Sequence, residues 1–171
     1  MDSFEYQRQQ DNHERRKLVV SYVSKVISVD KDDAYGVEAN MEFQLARDVY
    51  TFANYAYEIR RDRETEKRIP GGPKNKASGG VRVSPKDALS GMLWVSFFDR
   101  SDFVDRSTGT SLGTVPAYTL VNARVWYPVK LGAADGRLFV EGLNILDHNH
   151  QEHPQGDSYG LTAMAGLEIS Y

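Results

Sequence analysis

Apolar and polar residues alternate along most of this chain. The sharpest case is its end, where Leu161, Ala163, Ala165, Leu167, Ile169 and Tyr171 take every second position from Gly160 to Tyr171. Thr162, Gly166, Glu168 and Ser170 lie between them, with Met164 the one large apolar residue out of phase. A period of two marks a strand whose two faces meet different surroundings. The same period predicts a strand from Tyr35, with Val37, Ala39, Met41 and Phe43 opposite Glu38, Asn40, Glu42 and Gln44. Further strands are predicted over Val49 to Arg60, Ala77 to Val83, Leu89 to Phe97, Tyr118 to Val129 and Arg137 to Asn144. Leu18 to Val29 is rich in β-branched residues and ends at the turn-prone run Asp30 to Asp33. Residues 1–16 are polar, and carry at most a short strand around Ser3 to Gln7.

The connections sort by length. From Tyr35 onward they run short (45–48), long (61–73), short (84–87), long (99–115), short (131–136) and long (146–159). Regular alternation predicts an antiparallel up-and-down meander of about eight strands whose two ends face different media. Outer-membrane barrels have short periplasmic turns and long extracellular loops, which places the C-terminus on the short-turn side. A soluble up-and-down barrel has no reason to sort its loops in this way.

Face chemistry admits two inversions. With the apolar stripes inward, Glu38, Glu42, Arg82, Arg124, Glu141 and Glu168 are simply solvated. With those stripes toward lipid, the same residues line a wet lumen and pair across strands. Periodicity alone does not choose between them. Tyr55, Tyr57, Phe97, Tyr118, Tyr127 and Tyr171 fall near strand ends, either as in the aromatic girdles at a bilayer's two interfaces or as ordinary strand aromatics.

Composition narrows the classes. At 171 residues the chain suits one domain. Its net charge of −3 argues against nucleic-acid binding through phosphate neutralisation. The absence of cysteine excludes disulfides and thiolate metal sites. No apolar run reaches the roughly 18 residues of a membrane helix, a criterion that does not touch barrel strands, which spend only alternate positions on lipid.

The blocks in order resemble the late barrel strands of TonB-dependent outer-membrane receptors. Those blocks are YGVEANMEF, VYTFANYAYEI, IPGGPKNKASGGVRV, VPAYTLVNARVWYPV, GRLFVEGLNILDHNH and an aromatic-terminated last strand, from about Tyr35 to Tyr171. The resemblance implies a segment of a large transmembrane β-barrel in the bacterial outer membrane. It implies uptake of a scarce nutrient such as a ferric siderophore or cobalamin, with no catalysis and no cofactor. Outer-membrane lipid and the barrel-assembly machinery are the implied partners. The TonB complex enters only through a plug domain and TonB box, for which this sequence offers no counterpart. Residues 1–171 are therefore expected to be one barrel segment from an incomplete reading frame, without a signal peptide. In the family the last strand is the assembly signal, which assigns that role to Ala165, Leu167, Ile169 and Tyr171. The alternatives are a complete eight-stranded outer-membrane barrel with an adhesive or structural role, and a soluble ligand-binding barrel.

Few residues suggest chemistry of their own. His148, His150 and His153 in HNHQEH are weak candidates for a divalent metal, weighed against a solvated polar loop. Glu38 and Glu42 stand four apart on one polar face and read as lumen lining, not as an acid/base pair. GGPKNKASGG lacks the Gly-Lys-Ser/Thr ending of a phosphate loop. Asn144-Ile-Leu-Asp147 reads as a strand end followed by a turn.

Overall fold

A computed structural model describes residues 16–19, 32–105, 107–132 and 134–170, the first of these as backbone only. Expectations for Ser3 to Gln7 and for most of Leu18 to Val29 lie outside the described residues, as does Tyr171.

The described chain is all β. Its main sheet contains β1 (Arg16–Val19), β2 (Asp32–Ala46), β3 (Val49–Asp62), β4 (Asn75–Val83) and β5 (Ser90–Phe98). It continues with β8 (Tyr118–Leu131), β9 (Ala134–Leu143) and β12 (Thr162–Ser170). These strands neighbour one another in the order β1-β2-β3-β4-β5-β8-β9-β12, and every pairing is antiparallel. This is the predicted meander. Among the described residues no pairing joins β12 to β1, so the sheet is open, as a slice of a wider barrel is.

Two long connections are more ordered than their composition suggests. The segment between β5 and β8 folds on itself as a hairpin, β6 (Ser101–Val104) against β7 (Ser111–Val115). The one between β9 and β12 carries a short ribbon, β10 (His150–Gln151) against β11 (Ser158–Tyr159). Both had been expected as polar loop throughout. They are long enough to satisfy their own backbone groups by local pairing, and Thr108 to Gly109 between β6 and β7 supplies a turn closed by Gly109 N–H donating to the Asp105 carbonyl at 2.8 Å. Gly109 sits there at φ +70°, a left-handed backbone that glycine adopts without a Cβ clash.

Register brings the apolar positions of successive strands onto one face. Val37 stands opposite Tyr57, Tyr55 opposite Ala77, Val81 opposite Leu93, and Val95 opposite Val121. The row continues with Val125 opposite Val140 and Leu138 opposite Leu167. That face is exposed: Leu93 is 53%, Val140 61% and Ile169 53% accessible. The opposite, polar face is the enclosed one, with Ser90 and Asn122 each 4% accessible. Among the described residues Val115 is the only buried hydrophobic side chain.

This settles the inversion that periodicity left open. A water-soluble sheet buries its apolar stripe, because burial is the dominant favourable contribution to folding. Here a contiguous apolar face turns outward across seven strands, and such a face needs an apolar medium or partner against it. The polar face is the inside.

Candidate functional site on the inner face

The inner wall is built by alternate residues of β2 to β12. One register row runs Gln44, Tyr50, Arg82, Met92, Arg124, Glu141 and Met164. Both arginines in it are held on two sides. Arg82 Nη2 donates to Glu42 Oε2 at 3.3 Å, and its guanidinium carbon lies 4.8 Å from the centre of the Tyr50 ring. Arg124 contacts Glu141 Oε2 at 3.2 Å from Nη1, and its Nη2 donates to Glu168. It also lies 4.2 Å from the centre of the Phe139 ring. Guanidinium, carboxylate and ring thus meet in one stack. Phe139 in turn lies over Gly166, where an added Cβ would come within 2.8 Å of the ring.

A second row carries no charge: Asn40, Asn54, Ser78 and Ser96, on β2, β3, β4 and β5. Asn54 Nδ2 donates to Ser78 Oγ at 3.1 Å. Next to it, toward the long loops, come Glu38, Ala56, Lys76, Phe98 and Tyr118. Between these two rows is a hollow of about 320 Å³.

Tyr118 had been expected in the outer girdle, but it lies on the inner face. Its ring stacks on Phe98 with centroids 4.9 Å apart, and on His150 at 4.6 Å. The parity of β8 decides this, since Val121, Ala123 and Val125 take the outer positions and Tyr118, Leu120 and Asn122 the inner ones. Tyr55 and Tyr127 are outward and exposed.

The sequence run Asn144 to Asp147 is an anchor for the last long loop. Asn144 is 2% accessible. Its N–H donates to Asn122 Oδ1 at 2.9 Å, and its side-chain amide exchanges bonds with the backbone of His148 at 2.9 and 3.0 Å. Asn144 and Asp147 have φ of 55° and 52°, a conformation that asparagine and aspartate tolerate best among residues bearing a Cβ. Asp147 Oδ1 accepts the Leu161 N–H at 2.8 Å, which fixes where β12 begins. The strand-end-and-turn reading of this run holds.

The three histidines face different surroundings. His148 serves the anchor through its backbone. His150 is buried between Tyr118 and Tyr159. His153 stands edge-on to Phe103, with its Nδ1 accepting from Gln155 N–H at 3.2 Å. Among the described residues no group of three His, Asp or Glu side chains stands where it could hold a metal ion.

In β12, Ala165 pairs with Val140, Leu167 with Leu138 and Ile169 with Gly136, all on the outer face. The other edge of β12 has no partner among the described residues.

Sequence reasoning placed Arg124, Glu141 and Glu168 on a common face but did not single them out. The signal was there in the register: Arg124 falls opposite Glu141, and Glu168 opposite Arg137 two inner-face rows away. The hollow was not visible, because its residues are scattered over four strands.

Comparison with known proteins agrees with the geometry. A family model described as TonB dependent receptor-like, beta-barrel matches residues 6–145, well over half of the chain and all of the main sheet except β12. No curated protein matches it. An antiparallel sheet with an apolar exterior, a polar wall and loops sorted by length is what that family's barrels require in the outer membrane. The chain belongs to the TonB-dependent receptor β-barrel family, whose members are outer-membrane transport proteins and not enzymes.

Proposed function

We propose that this chain forms part of the wall of a nutrient importer in the bacterial outer membrane. In this reading residues 1–171 act as one barrel segment, and the substrate is a scarce nutrient of the kind that includes ferric siderophores and cobalamin. The supporting observation is the exposed apolar face, continuous from Val37 on β2 to Ile169 on β12. Lipid is the partner that such a face needs. The polar wall then borders the conduit and does no chemistry of its own. The barrel-assembly machinery reads the last strand, with Ala165, Leu167, Ile169 and Tyr171 as its signal, because a strand with one open edge and a fixed apolar face can template pairing. Coupling to the TonB complex belongs to a plug-bearing part of the receptor.

Refolding tests this reading. The purified chain should gain β-sheet circular dichroism only with detergent micelles or lipid vesicles, and aggregate in plain buffer. A monodisperse, folded monomer in plain buffer would instead support a soluble ligand-binding barrel.

A further inference from the structure

The hollow on the inner face has a composition that specifies a ligand. It is lined by Glu38, Asn40, Asn54, Lys76, Ser78 and Phe98, among others. Its volume of about 320 Å³ falls at the small end of ligand sites, roughly 300–1,000 Å³. Asn40, Asn54, Ser78 and Ser96 offer amides and hydroxyls that both donate and accept. Asn54 and Ser78 hold each other at 3.1 Å, so their remaining donors and acceptors are aimed before any ligand arrives. One carboxylate and one ammonium, Glu38 and Lys76, flank the row, so the lining carries no net charge. At the β5 side Phe98 closes the hollow, its ring fixed by stacking on Tyr118 at 4.9 Å.

Neutral groups that donate and accept at once, beside a fixed aromatic ring, match a polyhydroxylated ring. Its hydroxyls meet the amides while its C–H face packs on the aromatic. An anionic ligand would call for a net positive lining, whereas here Lys76 is matched in number by Glu38. The inner-face arginines Arg82 and Arg124 are already occupied by Glu42, Glu141 and Glu168. We propose that this hollow is a binding subsite for a neutral sugar unit on the wall of the conduit, held by Asn54, Ser78 and Asn40 against Phe98. The inference rests on the barrel reading, which makes this face the inner one.

The test uses the whole chain refolded in a zwitterionic detergent, since sugar-headgroup detergents would compete. Maltose and cellobiose are titrated calorimetrically, with citrate as the anionic comparison. Saturable binding on the order of millimolar affinity is expected for one shallow subsite. Asn54→Ala and Phe98→Ala should each weaken it by about tenfold or more, a loss of about 1.4 kcal/mol. Val95→Ala, on the outer face, should leave it unchanged, and citrate should not compete. No saturation by either sugar, binding by Asn54→Ala and Phe98→Ala as tight as that of the unmodified chain, or competition by citrate would each overturn the proposal while leaving the barrel reading intact. A chain that forms no β-sheet in detergent would overturn the barrel reading, and the subsite with it.

Discussion

Arg124 and Glu141 stand directly opposite each other on β8 and β9, with Nη1 to Oε2 at 3.2 Å, on a wall where their side chains are only 25% and 16% accessible. Glu168, the second carboxylate on the same guanidinium, is 47% accessible. The inner charge is thus shared unequally between an enclosed partner and a wet one.

That asymmetry has a measurable consequence. Arg124→Met removes the cation that Glu141 and Glu168 share, and should cost about 1–3 kcal/mol, the range for leaving a hydrogen-bonding group without its partner. Glu141→Gln should cost more than Glu168→Gln, because water screens the exposed pair to a few tenths of a kcal/mol or so. Urea unfolding of the chain in lipid vesicles measures all three. Equal costs for the two glutamate variants would mean that both carboxylates are equally solvated.

The outer face makes the opposite demand. Val140 is 61% accessible and lies one residue from Glu141, on the other side of the sheet. Val140→Arg should destabilise the lipid-inserted state by roughly 2–4 kcal/mol if it lies near the bilayer midplane, and by less toward either interface. In a water-facing position the same change would fall within about 0.5 kcal/mol of neutral. Vesicle-bound unfolding separates the two.

Gly166 on the inner wall is dictated by the ring beside it. At Gly166 an added Cβ would come within 2.8 Å of Phe139 Cε1 and Cζ. Gly166→Val should push the Phe139 ring away from Arg124 and cost about 1–3 kcal/mol by overpacking. Phe139→Leu in the same background should recover part of that loss, which a double-mutant unfolding cycle would reveal. Simple additivity would show that Phe139 is not what the valine meets.

The turn that closes the β6–β7 hairpin depends on an ionised carboxylate. Asp105 accepts from the Ser107 hydroxyl and N–H at 2.6 and 2.8 Å. The hydroxyl bond is the larger influence and the backbone bond the next, and together they hold the carboxyl below its ordinary value. A depressed folded-state pKa contributes stability above the unfolded value and loses it as pH falls through the folded one. Amide exchange at Ser107 and Thr108 should therefore stay slow at neutral pH, where the carboxyl is ionised in both states. It should quicken, relative to intrinsic rates, only below the ordinary carboxylate range. An unchanged protection factor down to that range and through it would remove Asp105 from the account.

How much of this was legible in sequence follows from period and register. The main strands were readable because Val, Ala, Leu and Tyr recur every second residue, and a one-residue slip would move every one of them to the wrong face. Alternation alone did not give the sense of the inversion, being identical for a soluble barrel and a lipid-facing one; the sorted loop lengths and the family resemblance pointed to lipid. The accessibilities of Leu93 and Asn122, outward and inward, agree with that sense. Tyr118 was misplaced because it was assigned by its nearness to a strand end, whereas its parity, shared with Asn122 and Arg124, puts it on the polar face. The His148 to His153 spacing suggested a cluster, but the anchor at Asn144 and the aromatic stack at His150 send the rings to separate surroundings. The hollow around Asn54 was illegible because its residues meet only through the register of β2 to β5.

The central claim, that apolar positions face lipid and polar ones face an aqueous lumen, meets its most direct test on β5. The chain has no cysteine, so single cysteines at Leu93, Trp94, Val95 and Ser96 can be introduced without background. After insertion into lipid vesicles, a membrane-impermeant, water-soluble maleimide should label Trp94→Cys and Ser96→Cys and spare Leu93→Cys and Val95→Cys. Labelling at Leu93 and Val95, with Trp94 and Ser96 protected, would contradict the account.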